Sequence, residues 1–309
     1  MRVRQWNRPR LFVAILATLL IAALTWLTGC SGGGDEATGA DFSSPAHVQT
    51  TSFDPSKATG QNGAKIDTSS VNEGYVAAKA TAQGKLKLQI ICGDASQNYD
   101  LPQNGTALVA PLPFGEGSYT FRIMKNTSGN NYVELYRTQK DVTIDDEFSP
   151  FVRPNTFCQF SDKSSCVKKA KSLVKDAKNE GEALKAVCTW IVENVSYDNE
   201  KAKRLKDATG YVPDPDATLR SKKGICFDYA SLGAAMLRSQ GIPTKIRTGY
   251  VSPDNIYHAW IEVNIDGTWK SAQFSVDKRT WSRVDLTFAA GSGNSLVGDG
   301  KDYTDRYTY

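Results

Sequence analysis

The sequence predicts an exported α+β chain in which a small β-sandwich precedes a larger domain that runs from helices into strands. Three observations carry this. Apolar residues alternate with period two between Asp67 and Ile144, they recur at helical spacing from Ser164 to Leu237, and strand-like runs return after Thr244. At 309 residues the chain is long enough for two ordinary domains. An apolar fraction of 40% with 23% charged residues is that of a folded globular protein.

The N-terminus reads as an export signal. Arg2, Arg4, Arg8 and Arg10 precede an apolar run from Leu11 to Leu27, and no acidic residue occurs before Asp35. The run ends in "LTGC", Leu27 to Cys30, followed by "SGGGDEATG". This resembles a bacterial lipoprotein signal, which implies lipidation of Cys30 and a lipid-anchored chain on the extracytoplasmic face of the cell membrane. An uncleaved helical anchor is the alternative, because the run is just long enough to span a bilayer. With the four signal arginines set aside, 33 basic residues face 33 acidic ones, so net charge gives no reason to expect a nucleic-acid partner.

Residues 31–65 are rich in Gly, Ser, Thr, Ala and Asp and are expected to form a flexible tether, with His47 solvated. Residues 66–148 carry the strand signals. "KLKLQIIC" alternates Leu86, Leu88 and Ile90 with Lys85, Lys87 and Gln89, and "SYTFRI" alternates Tyr119, Phe121 and Ile123 with Thr120 and Arg122. Breaks at "QNG", "PLPFGEG" and "TSGNN" separate the runs, and "GEGSYTFRI" looks like the start of a strand in an immunoglobulin-like sandwich.

Residues 149–309 form the second domain. Ser164 and Ser165 can cap a helix through about Lys178, and Leu184, Val187, Cys188, Ile191 and Val195 recur at helical spacing. "GYVPDPDATLRSKKG" has no regular period and reads as a long loop. In "GICFDYASLGAAMLRSQGIP" the residues Cys226, Tyr229, Ala230, Gly233, Met236 and Leu237 share one helical face, with Gly241 as terminator and Pro243 preventing continuation. "TKIRTGYV", "IYHAWIEVNI", "TWKSAQFSV" and "TWSRVDLTF" then read as strands.

With Cys30 assigned to lipid, Cys92, Cys158, Cys166, Cys188 and Cys226 remain in a disulfide-permissive setting. An odd number leaves at least one thiol unpaired. Cys158 and Cys166 flank the short loop "QFSDKSS" and form the expected disulfide, whereas Cys92 and Cys188 read as small buried hydrophobes. Cys226 is the leading free thiol.

A catalytic cysteine needs a base and a group that orients the base. The chain has two histidines, and His258 lies 32 residues after Cys226. In "IYHAWIEVNI" the aliphatics Ala259, Ile261, Val263 and Ile265 define a core face, which puts His258, Trp260 and Glu262 on the other. In "TWSRVDLTF" the core face is Val284, Leu286 and Phe288, with Trp281, Arg283, Asp285 and Thr287 opposite. If both strands share a sheet, His258 and Asp285 project from one face.

The ordered motifs "GICFDYASLGAAMLRSQGIPTKIRTGYV", "HAW" and "WSRVDLTFAA" resemble the core of the transglutaminase-like superfamily, whose members relate distantly to papain-like cysteine proteases. The resemblance covers about Thr156 to Ala290. It implies a papain-related α+β catalytic domain with Cys226 as nucleophile, His258 as general base and Asp285 as orienting carboxylate. Two departures are notable: the interval from His258 to Asp285 is long, and an alternative alignment on Trp269 would put Gln273 in the carboxylate position.

The resemblance implies a hydrolase or acyltransferase that attacks peptide or protein amides of the cell envelope through a thioester, without a cofactor. Neither pair of neighbouring cysteines has zinc-ligand spacing. Trp260, Trp281 and Tyr197 are candidates for lining a substrate groove, with packing beside the site as the alternative for each. Asp228 reads as a partner for the helix dipole. A non-catalytic envelope protein that binds peptide or cell wall through the same fold is the competing function.

Overall fold

The computed structural model describes residues 36–252, 255–271, 274–291 and 303–309. The expected signal, Cys30 and Gln273 lie outside the described residues. The first described strand is β1 (Glu36–Gly39), followed by β2 (Thr59–Gln61), β3 (Ala64–Asp67), β4 (Tyr75–Ala80), β5 (Leu86–Cys92), β6 (Ala95–Leu101), β7 (Leu108–Pro111), β8 (Gly117–Ser128) and β9 (Asn131–Val142). They build two four-stranded antiparallel sheets, ordered β2-β3-β4-β7 and β6-β5-β8-β9. The alternation did its work: Leu86, Leu88, Ile90, Tyr119, Phe121 and Ile123 are all buried in one core, while Lys87, Gln89, Thr120 and Arg122 are less covered.

Each sheet joins consecutive hairpins through one crossover, β4 to β7 in the first and β5 to β8 in the second. One expectation about this region is corrected: not all of residues 31–65 are a tether. β1 pairs with the strand Gly267–Lys270, Val48 is buried, and the Val48 amide donates to Asp162 Oδ1 at 3.1 Å. Polar composition concealed this because the order comes from backbone pairing and from side-chain oxygens accepting backbone N–H groups.

After β9 follow α1 (Ser165–Leu173), α2 (Glu180–Asn194), β10 (Ser196–Tyr197), α3 (Asn199–Leu205), α4 (Pro215–Ser221), β11 (Lys223–Gly224), α5 (Cys226–Arg238), β12 (Thr244–Val251), β13 (Ile256–Val263), β14 (Gly267–Lys270), β15 (Ser275–Val276), β16 (Ser282–Val284), α6 (Leu286–Gly291) and β17 (Tyr303–Thr308). α1 stops well before Lys178. The expected loop around "PDPDATLRS" is instead α4, begun by Asp214, whose carboxylate accepts the Ala217 amide at 3.0 Å, and by Pro215 in the first turn. The stop is Lys222 at φ 53°, a left-handed residue. β1, β14 and β15 form a small sheet, and β16, β13, β12 and β17 form the main one, antiparallel throughout.

α5 lies against β12 and β13. Gly233 permits the approach: a Cβ there would stand 2.6 Å from Leu286 Cδ1 and 3.4 Å from Ile261 Cδ1. A second glycine matters on β12, where a Cβ on Gly249 would stand 2.0 Å from the Thr304 carbonyl oxygen. Gly249 is paired with His258 in the register of β12 and β13, so its missing side chain lets β17 close in beside the histidine strand.

The far end of β17 is clamped against β6. The Gln97 amide donates to the Thr308 carbonyl at 2.8 Å and accepts the Thr308 N–H at 3.1 Å, as a neighbouring strand would. Tyr309 packs its ring edge against Tyr99 at 5.6 Å. Arg238, 2% exposed, closes the same corner by donating to the carbonyls of Thr244, Arg153 and Tyr309 at 2.8, 2.9 and 2.8 Å.

Candidate active site

Cys226 is the first residue of α5, with the extended Ile225 before it. The unbonded amides of the first turn surround its sulfur with partial positive charge. Asp228 holds that turn. Its carboxylate, fully buried, accepts the Ile225 amide at 2.8 Å and the Lys201 ammonium at 2.7 Å, and it also takes the Tyr211 hydroxyl. The expected dipole partner is therefore also the anchor that ties α3 and the segment carrying Tyr211 to the cysteine helix. Burial, and then the Asp228 charge, hold the Tyr211 hydroxyl well above the ordinary range, so it remains a donor.

His258 stands on β13, 5% exposed. Its Nε2 lies 2.7 Å from Asp285 Oδ2. Cys226 lies close enough to the imidazole to act, with Asp285, on its ionisation. Burial works against the charged ring, but Asp285 and then Cys226 outweigh it, and the imidazole is pushed up to about 10. Phe288 stacks on the ring at 4.4 Å between centroids and 10° between planes, and Trp260 covers its other neighbourhood at 6.3 Å and 23°.

Asp285 reaches this position by a route different from the expected strand. β16 ends at Val284 and α6 begins at Leu286, so Asp285 is the junction residue. Its Oδ1 accepts the amides of Thr287 and Phe288 at 3.1 and 3.0 Å, as a helix-capping carboxylate does. The alternation still gave the correct side, because Val284 pairs with Ile261 and Asp285 is the next residue along. Phe288, expected on the core face of a strand, is carried by α6 onto the imidazole instead.

The remaining candidates separate. Tyr197, 42% exposed, pairs through β10 with Gly224 of β11 and stands close enough to Cys226 and Asp228 for their charges to act with burial in raising its hydroxyl above the ordinary range. Trp260 is 1% exposed and supports the histidine rather than lining an open groove. Trp281 is elsewhere. Ser282 pairs with Val263, so Trp281 lies roughly 20 Å along the strand direction from His258. Its ring sits 3.8 Å under the Lys245 ammonium and 5.5 Å from Phe151. It lines concavities of about 230 and 590 Å³ that contain none of the three central residues.

The disulfide expected between Cys158 and Cys166 is not formed. Both are free thiols, as are Cys92, Cys188 and Cys226. The Cys158 sulfur lies 3.8 Å from the Ser231 carbonyl, and the Cys166 backbone amide donates to Asp216 Oδ1 at 2.8 Å. Burial pushes Cys158 up to about 11 and raises Cys166 and Cys188 further, which keeps all three as unreactive thiols. Among the described residues, no group of three or more His, Cys, Asp and Glu side chains is arranged to hold a metal ion.

Sequence reasoning did not single out Lys201, Tyr211 or Tyr303. The Tyr303 hydroxyl donates to Asp285 Oδ2 at 3.0 Å, the oxygen that faces His258. The alternation in "YTDRYT" was the available signal for a strand, though not for where its first residue points.

The model of the transglutaminase-like superfamily matches residues 167–286, which include Cys226, His258 and Asp285. A UPF0252 protein of Methanocaldococcus jannaschii is 26% identical over 162 residues, 49% of this chain and 43% of that protein. The kyphoscoliosis peptidase of Mus musculus is 28% identical over 121 residues, 36% of this chain and 18% of the peptidase. The chain thus spans less than half the length of either relative. Among solved structures, a candidate cysteine protease from Cytophaga hutchinsonii superposes loosely, with a TM-score of 0.34 and 16% identity over 76% of this chain and 86% of that one.

Proposed function

Residues 167–286 belong to the transglutaminase-like superfamily, and from that premise we propose that the protein is a cysteine hydrolase or acyltransferase acting on peptide or protein amide bonds. The observation that carries the reading is the convergence of a cysteine at a helix N-terminus, an imidazole close enough for that cysteine to act on its ionisation, and a carboxylate 2.7 Å from the imidazole Nε2. Metal and cofactor play no part in it.

In this reading the Cys226 thiolate, paired with the His258 imidazolium, attacks the amide carbonyl carbon and forms a C–S bond while the carbonyl pair moves onto oxygen. The Cys226 amide is one donor toward that oxygen. Collapse breaks the C–N bond, and the departing amine takes a proton from His258 to leave a thioester. Neutral His258 then removes a proton from water or from an acceptor amine, which attacks the thioester and restores the thiolate. Asp285 keeps the imidazole oriented in both halves. Water gives hydrolysis and an amine gives transamidation; hydrolysis is the reading adopted, because water is always present.

The proposed place of action is the outer face of the cell membrane, with the chain held by lipid on Cys30 and peptides or proteins of the cell envelope as substrates. Support for the location is the apolar run Leu11–Leu27 ending in "LTGC". No helix of the described residues is long and apolar enough to cross a membrane. The test is a screen of wild type and Cys226→Ala for hydrolysis of envelope peptides and for incorporation of a labelled amine. Turnover by wild type alone supports the proposal, and equal signals from both proteins overturn it.

A further inference from the structure

The Asp285 carboxylate is the most completely occupied acceptor around the site. Oδ1 takes two backbone amides, from Thr287 and Phe288, and Oδ2 takes His258 Nε2 at 2.7 Å and the Tyr303 hydroxyl at 3.0 Å. Three of these donors come from the segment of Asp285 itself or from the histidine it faces. The fourth arrives on a different strand, β17, which enters the sheet only because Gly249 lacks a side chain and which is fastened at its far end by Gln97.

The Tyr303 ring is itself fixed on two sides. It meets Trp260 edge-on at 4.9 Å, and the Arg283 guanidinium lies 3.7 Å above it. The hydroxyl therefore has a set direction. A packing tyrosine would need none of this, since a phenylalanine fills the same space; what the hydroxyl adds is a hydrogen bond to an oxygen already used by the histidine.

We infer that Tyr303 is a positioning residue for His258, acting through Asp285: its hydroxyl fixes the carboxylate plane and takes a share of the negative charge that would otherwise fall on the imidazole. This rests on the catalytic reading of Cys226, His258 and Asp285. Two consequences follow. With four donors the carboxylate is held in one plane and cannot rotate its lone pairs away from His258. With its charge shared, Asp285 holds the imidazolium less tightly, so His258 gives up its proton to a leaving amine more readily than a carboxylate with three donors would allow.

The groups that face His258 are Asp285 from the β16–α6 junction, Cys226 from α5, and, one step removed, Tyr303 from β17 with Arg283 from β16 above it. Tyr303→Phe keeps the ring and its contacts and removes only the hydroxyl. The experiment is an NMR titration of the His258 ring in the full chain, wild type against Tyr303→Phe, with the exposed His47 as internal reference. The expected result is an upward shift of the His258 titration by about half a pH unit in the variant, with His47 unmoved. Restoring an O–H donor by incorporating 3-fluorotyrosine at position 303 should return the titration toward wild type.

Unchanged His258 titration in a folded Tyr303→Phe variant would overturn the inference. The rate of Cys226 alkylation by iodoacetamide in wild type, measured alongside, separates this from the parent reading. A reactive Cys226 with an unmoved His258 removes the role of Tyr303 alone. An unreactive Cys226 removes the catalytic reading even where the hydroxyl shifts the histidine.

Discussion

His258 Nε2 and Asp285 Oδ2 are 2.7 Å apart, and both side chains are buried. An isolated charge of either sign would be costly there, and the pair is tolerable because the carboxylate is otherwise fully hydrogen bonded. The arrangement makes the ionisation of His258 a property of the folded state, which can be tested apart from any substrate.

The first test is the pH dependence of stability. His258 is raised from its ordinary value to about 10 by Asp285 and Cys226 against the effect of burial. A group raised on folding contributes its full stabilisation below its unfolded value, about 6.5, and loses it as pH rises through the folded one. Wild type should exceed Asp285→Asn by at least about 2 kcal/mol in urea melts at pH 6, with the gap narrowing steadily toward pH 10. A gap that is constant across this range would mean that His258 is not held charged.

Asp228 gives the second. It ties together the Ile225 amide, Lys201 and Tyr211 with no exposure to solvent. Asp228→Ala leaves a lysine and a buried amide without their acceptor and should cost about 3 kcal/mol, read as a lower melting temperature. Loss of less than about 1 kcal/mol would show that the network is incidental to the first turn of α5.

Gly249 gives the third. A methyl group at this position would stand 2.0 Å from the Thr304 carbonyl oxygen, a distance that β17 can relieve only by moving away from β12. Gly249→Ala should therefore destabilise the chain by about 2 kcal/mol and also shift the His258 titration in the direction of Tyr303→Phe, since the tyrosine leaves with its strand. A variant as stable as wild type would place the sheet edge farther from Gly249 than described.

Much of the arrangement was legible because periodicity reports burial directly. The strand runs around Leu88 and Phe121, the face of α5, and the side from which His258 and Asp285 project all followed from which positions are apolar. What was hidden depends on partners distant in sequence. β1 is ordered by pairing with β14, α4 by a capping aspartate inside a stretch that looked like a loop, and Asp285 by a strand that ends one residue before it. The expected disulfide failed for a related reason: spacing brings Cys158 and Cys166 near each other, but the Cys158 sulfur is turned to the carbonyl of Ser231, 73 residues away.

Selective alkylation tests the central claim most directly. Native protein treated with iodoacetamide at pH 6 should be modified at Cys226, with Cys158, Cys166 and Cys188 protected by burial and by their raised ionisation, and His258→Ala should slow the modification at least about tenfold. The expected result is one adduct, at Cys226, formed much faster than with an ordinary thiol. A Cys226 that reacts no faster than the cysteines of the urea-unfolded chain, or that is indifferent to loss of His258, would contradict it.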